Sequence, residues 1–289
     1  MAQAAARPRD DWSPSALERE RQVVRRRLGL RSAAIAAAAT ILLIGVLLAV
    51  VVSSPGWPRV QETFFSWTHA KAAFPAIAKG FWLNVRLFLI AEPLILAVGV
   101  LVAVARGTTS PALFPIRALA VIYTDLFRGV PTLLVVLMIC FGVPALQLQG
   151  VTNSLFWLAL AALVLSYGAY VAEVFRAGIE SVHPSQVASA DSLGLSRAQA
   201  MRYVVLPQAV RRVVPPLLND FVSLQKDTAL VATVGVVEAL NAAQVYANFN
   251  FNYTSYLVAA AFFVALTVPL ARFTDWLGRR VARRERGGR

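Results

Sequence analysis

Uninterrupted apolar runs decide what this chain can become. Ala33 to Val52 is one such run, and about 20 apolar residues suffice for a helix to cross the hydrocarbon core of a bilayer. Comparable stretches follow at Phe81–Ala105, Ala112–Leu146, Ser154–Phe175, Val214–Val237 and Tyr253–Trp276. Of the 289 residues, 58% are hydrophobic and 15% charged, whereas soluble domains average about 45–50% and about 25%. The expected fold is an all-α polytopic membrane protein of about six transmembrane helices.

The charges fix an expected orientation. The formal net charge is +13, but the arginines gather at the two ends and in loops. Arg25, Arg26 and Arg27 precede the first run, and Arg197, Arg202, Arg211 and Arg212 lie in one long segment. Arg279, Arg280, Arg283 and Arg284 follow the last run. Segments 147–153 and 238–252 contain no Lys or Arg. This asymmetry is the one that orients membrane helices, and it predicts both termini in the cytoplasm. It also accounts for the basic balance without nucleic acid as a partner. A cleaved leader competes for Ala33–Val52, but leaders have apolar regions of about 7–15 residues, so a retained span is expected.

Residues 1–32 then read as a basic cytoplasmic tail, with a surface helix as the other reading. Residues 33–53 are an extra N-terminal transmembrane helix. Residues 54–79, with Pro55, Gly56 and Pro58, read as an extracytoplasmic loop. Residues 80–280 form the main membrane domain, with a long cytoplasmic loop at 178–213, and 281–289 are a second basic tail.

Several polar residues interrupt these runs. Arg128, Gly129 and Pro131 break the long stretch 112–146, which therefore reads as one bent element. Glu173 and Arg176 lie one helical turn apart and can pair at the membrane edge. Glu92, beside Pro93, serves equally well as a pathway group or as a hydrogen-bonded helix-packing group. Asn219, Ser223 and Lys226 recur at helical spacing, with Asp220 and Asp227 beside them. Such groups rarely face lipid and should face the bundle interior. Two readings stand for this span: a pathway lining for a zwitterionic ligand, or a Lys226–aspartate pair that locks helices together.

The chemistry of an enzyme is missing from the sequence. No phosphate-binding glycine loop precedes a lysine, and no nucleophile elbow occurs. His69 and His183 are far apart and suggest no metal site. Cys140, the single cysteine, reads as a small apolar filler. No catalytic or metal-ligating residue is expected.

Between Gln186 and Leu195 the residues are small or weakly polar. Ser196 with Gln199 three residues on matches a capping box, the start of a second short helix, which Pro207 should end. Two short helices joined at Gly194-Leu195 make a compact knob, suited either to a cleft on a partner or to packing on its own bundle.

This stretch resembles the cytoplasmic signature of ATP-binding cassette importer permeases. That pattern is Glu-Ala-Ala, three residues, Gly, nine residues, Ile-x-Leu-Pro. Here Ala188, Ser189 and Ala190 are followed by Gly194 and then by Val204, Val205, Leu206 and Pro207 in the same spacing. Ala188 replaces the acidic residue and Ser189 the alanine after it. Phe127–Pro131, Tyr170–Gly178 and Lys226-Asp227-Thr228-Ala229-Leu230 resemble the branch that imports polar amino acids, with Ala229 for the usual serine. The resemblance runs from about Lys79 to Arg280.

It implies a permease core of five helices. Ala188, Ser189, Ala190, Gly194, Val204, Leu206 and Pro207 would form the ATPase-coupling loop. Asn219, Asp220, Ser223, Lys226, Asp227 and Thr228 would line the substrate pathway. It further implies a second permease subunit, cytoplasmic ATPase subunits that hold ATP and Mg, an extracytoplasmic substrate-binding protein, an amino-acid substrate and surrounding membrane lipid. No cofactor is expected on this chain itself. The alternative is an ion-coupled secondary amino-acid transporter, with Glu92, Asp220 and Asp227 as coupling groups.

Overall fold

The computed structural model describes residues 15–286 apart from Thr109, with side chains as far as Arg280. The expected tail at 1–14 and the side chains of Arg283 and Arg284 lie outside the described residues. Every regular element among the described residues is helical. Four stretches are long and apolar enough to cross a membrane, Ala16–Val52, Trp57–Arg106, Leu155–Glu180 and Thr254–Arg280, and counting each of two bent pairs as one span raises the number to six.

The chain divides into two units, residues 1–61 and 62–289. The boundary thus falls inside the expected 54–79 loop rather than at its end. The first unit is dominated by α1, Ala16–Val52, a single helix of 37 residues. It begins well inside the segment read as a tail. Ser15 caps it, its Oγ accepting a bond from Glu18 N at 3.2 Å, and the first turns are built from strong helix formers.

The boundary falls within α2, Trp57–Phe64, and α3 (Trp67–Arg106) of the second unit is 40 residues long. The segment expected as loop is therefore largely helix. Pro58 lies in the first turn of α2, where its missing N–H costs nothing, so it does not break the helix. After a short 3-10 turn come α4, Phe114–Gly129, and α5, Thr132–Ala145. The expected break at Gly129–Pro131 is present, but the bend is 106°, far sharper than a proline kink. Pro131 is extended and caps α5, so two helices meet at a corner.

Next is α6, Leu155–Glu180, which packs on α3, α4, α5 and α9 (Leu206–Asp227) and so forms the centre of the unit. Its buried face carries Ala159, Ala162, Gly168, Ala169, Ala172 and Gly178. Small residues let helix backbones approach closely where lipid supplies no hydrophobic drive. At Gly168 an added Cβ would lie 2.8 Å from Val98 Cγ1 and 2.9 Å from Tyr123 Oη. Gly168→Val should therefore cost about 1–3 kcal/mol through overpacking and lower the melting midpoint of the purified chain. Gly142→Ala, where an added Cβ meets nothing within 4 Å, is the control and should melt as the parent does.

The segment read as a cytoplasmic loop is mostly helical: α7, Pro184–Ser192, α8, Arg197–Ala200, and a π-helical turn, Met201–Val205, that leads straight into α9. Pro207 does not end a helix. It sits in the first turn of α9, and the wider π turn before it absorbs the proline. After α9, a 3-10 turn spans Thr228–Val234 and Gly235 takes φ 82°. Then α10, Ala239–Asn250, fills the expected outer loop, and α11 runs from Thr254 to Arg286, so the second tail opens as helix.

Candidate functional site

Two regions gather the residues singled out by sequence. The first is the α7–α8 knob. His183 precedes α7, and its Nδ1 accepts from Ser185 N at 3.2 Å. The helix ends where Gly194, at φ 79°, lets two closing bonds form. Leu195 N donates to Ala190 O at 3.1 Å and Gly194 N to Asp191 O at 2.9 Å, the paired pattern of a left-handed helix stop. The capping box expected at Ser196 is present. Ser196 N donates to Gln199 Oε1 at 2.8 Å and Gln199 N to Ser196 Oγ at 3.3 Å.

The knob's base is apolar: Val182, Val205 and Ala209 are buried together, with Ile179 and Val187 against them. Arg212 bonds Ser181 O across the base. Ala190 is buried and Val204 half-buried, while Ala188, Ser189, Leu206 and Pro207 are exposed. At the tip Leu193 is 81% exposed, and Gly194 beside it has open space where a Cβ would go. Leu193 thus stands bare on a turn closed by two backbone bonds and takes no part in the core.

The second region is the polar face of α9. The structure separates the six predicted pathway residues into two groups. Asn219 and Lys226 are exposed and Ser223 is half-buried, all on one side of the helix. Lys226 opens into a groove of 380 Å³ shared with Tyr256, Phe263 and Thr267 of α11. Asp220 and Asp227 turn the other way. Asp227 Oδ2 accepts from Tyr167 Oη of α6 at 2.6 Å, and Asp220 Oδ2 is buried without a hydrogen-bond partner.

The expected Lys226–aspartate pair is therefore absent among the described residues. Consecutive helical residues point about 100° apart, so Asp227 meets α6 while Lys226 meets α11. The expectation that the whole set faces the interior fails for Asn219 and Lys226 on this chain alone.

Thr228 is fully buried. Its Oγ1 donates to Gln225 O at 2.8 Å and accepts from Asn84 Nδ2 at 3.2 Å. Asn84 Oδ1 in turn accepts from Ala239 N at 3.1 Å, and Glu238 caps α10 by accepting from Asn241 N at 2.7 Å. Asn84, Gln225 and Glu238 were not singled out by sequence. One signal was available: Asn84 is an amide inside a mostly apolar run, and such groups need a buried partner. Asn84 and Glu238 each take up a backbone N–H where α9 gives way to α10, as irregular backbone at membrane depth requires, while Gln225 Nε2 and Glu238 Oε2 are buried without a hydrogen-bond partner.

At the other end of α6, the Glu173–Arg176 pair is present, Nη2 to Oε1 at 2.5 Å. Arg106 of α3 adds a contact of 2.9 Å and Arg128 of α4 one of 3.7 Å, so one carboxylate ties three helices. Gly129 and Pro131 stand at the α4–α5 corner next to it.

Known proteins are similar to this chain in sequence and fold. A family model described as binding-protein-dependent transport system inner membrane component matches residues 95–283. YxeN of Bacillus subtilis (strain 168), a probable amino-acid permease protein, is 32% identical over 220 residues, which are 75% of this chain and 96% of that protein. GlnM of the same organism, a probable glutamine ABC transporter permease protein, is 33% identical over 186 residues, 63% of this chain and 82% of that one. A crystal structure of an amino acid ABC transporter with histidines superimposes with a TM-score of 0.65 at 29% identity, covering 71% of this chain and 94% of that chain. With the family model covering residues 95–283, most of the chain, this protein belongs to the binding-protein-dependent transport system inner membrane components.

Proposed function

We propose that this chain is the permease subunit of an ATP-driven amino-acid importer. The observation that carries the proposal is the α7–α8 knob, a closed turn that presents bare Leu193 and Gly194. Cytoplasmic ATPase subunits seat there, and ATP and Mg are held on those subunits, not on this chain. ATP closure of the ATPase pair displaces the knob, and the π turn and α9 pass that displacement to the polar face. Both termini lie in the cytoplasm. An extracytoplasmic binding protein delivers the amino acid on the opposite side.

The polar stripe of Asn219 and Lys226 supports a second permease chain. An exposed ammonium at membrane depth is costly against lipid, and a second subunit, the same chain or a homologue, would enclose the stripe around a watered pathway. Asn219, Ser223 and Lys226 would face the amino acid there. Asp220, Asp227 and Thr228 would hold α9 from behind.

The test compares two energy sources. Purification of the complex from its native membrane should yield a stoichiometric ATPase. Uptake in vesicles should require internal ATP and survive collapse of the ion gradients. Uptake without an ATPase, abolished by an uncoupler, would instead assign Glu92, Asp220 and Asp227 to ion coupling.

A further inference from the structure

The end of α3, the start of α4 and the end of α6 enclose a pocket of 570 Å³ that the transport reading leaves unused. Its walls are of two kinds. Phe114, Val121 and Ile179 make an apolar floor, while Arg106, Arg117 and Arg176 line the same space. Phe114, Arg117 and Val121 lie on one face of α4, spaced by three and four residues.

The charges do not balance. Arg106, Arg128 and Arg176 converge on Glu173, and Arg176 also bonds Glu180. Arg117 has no carboxylate partner among the described residues. Its Nη1 donates to Thr108 O at 3.1 Å, and its guanidinium lies 5.5 Å from the centre of the Phe114 ring. A guanidinium has five N–H donors, so most of those on Arg117 are free to face the pocket. Three guanidiniums and one carboxylate, Glu180, line the pocket and leave an excess positive field over an apolar floor.

We propose that this pocket binds the headgroup of an anionic phospholipid, with its phosphate on Arg117 and the start of an acyl chain along Phe114 and Val121. Arginine suits phosphate because its planar fork donates two parallel bonds. Basic pockets between membrane helices recognise such headgroups. A soluble phosphate would use the arginines but not the apolar floor, whereas an amphiphile uses both. The apolar surface also continues outward along α4, where Leu119, Ile122 and Leu126 are exposed, giving an acyl chain somewhere to run. The inference does not rest on the importer reading and holds whatever the solute.

The test uses the full chain, purified in detergent, with phosphatidylglycerol or phosphatidylcholine added and retained lipid counted by native mass spectrometry. Phosphatidylglycerol should be retained in preference to phosphatidylcholine, and excess inorganic phosphate should not displace it. Arg117→Gln should lower phosphatidylglycerol retention about tenfold, the loss of one charge-assisted bond. Ala118→Phe, which fills the pocket without touching a charge, should lower it similarly. Both variants should melt as the parent does in the absence of lipid, and phosphatidylglycerol should no longer raise their melting midpoints. Equal retention of the two lipids, displacement by inorganic phosphate, or unchanged retention by Arg117→Gln would each overturn the proposal. If Arg117→Gln does not fold, Ala118→Phe decides: unchanged retention there overturns it, and loss of retention supports it.

Discussion

Valine in place of Gly194 is expected to cut amino-acid uptake sharply while leaving the chain in the membrane at normal abundance. Gly194 has φ 79°, a conformation that costs a residue with a Cβ about 1–2 kcal/mol. A β-branched side chain is stiffer still. Nothing lies within 4 Å of the position a Cβ would take, so the penalty is conformational, not a clash with the core. It is relieved by opening the two bonds that close α7, which moves the Leu193 tip. Membrane abundance, ATPase co-purification and uptake should be measured on one preparation. Uptake and ATPase retention should fall together by about tenfold, the equivalent of 1.4 kcal/mol of docking energy. Gly194→Asn should keep much of both, because asparagine tolerates the left-handed region. Wild-type uptake in the valine variant would show that the knob does not couple ATP to transport.

The second large effect is expected at Asn84. Asn84→Leu keeps the branched shape but removes the acceptor of Ala239 N–H and the donor to Thr228 at a site 1% exposed. An unsatisfied buried group costs about 1–3 kcal/mol, and here two bonds are lost at the same break in the backbone. The purified variant should melt well below the parent, and amide exchange at Ala239 should accelerate. Asn84→Asp, which keeps an acceptor for Ala239 N–H, should be less severe. If Asn84→Leu melts as the parent does, the amide has another acceptor and this polar knot does not hold the break together.

How much of this could be seen in the sequence depended on range. The capping box at Ser196 and Gln199 and the turn at Gly194 were legible because their partners lie three to five positions away. Glu173 with Arg176 was legible for the same reason. The rest of that cluster was not, since Arg106 bonds Glu173 from 67 positions away. Asn84 was harder still, because Thr228 is 144 positions on and nothing local marks them as partners. Prolines misled in a consistent direction. Pro58 and Pro207 were read as stops, but each stands in a first turn, where no amide is needed. The corner at Gly129–Pro131 was placed correctly, yet its 106° angle is set by the packing of α4 and α5 on α6. Lys226 and Asp227 looked like partners because they are adjacent, and on a helix adjacency sends them apart.

One mechanical property follows from the length of α3. The same helix carries Asn84, tied to the α9–α10 break, and Arg106, tied to Glu173. Between these two grips it runs for about 33 Å at about 1.5 Å per residue. Pro93 lies between them and removes one rung of the backbone ladder, so bending compliance concentrates there. The helix therefore works as a jointed lever. A tilt imposed at the arginine end reaches the amide end with little loss along its rigid halves, and what is lost is taken up at one known joint.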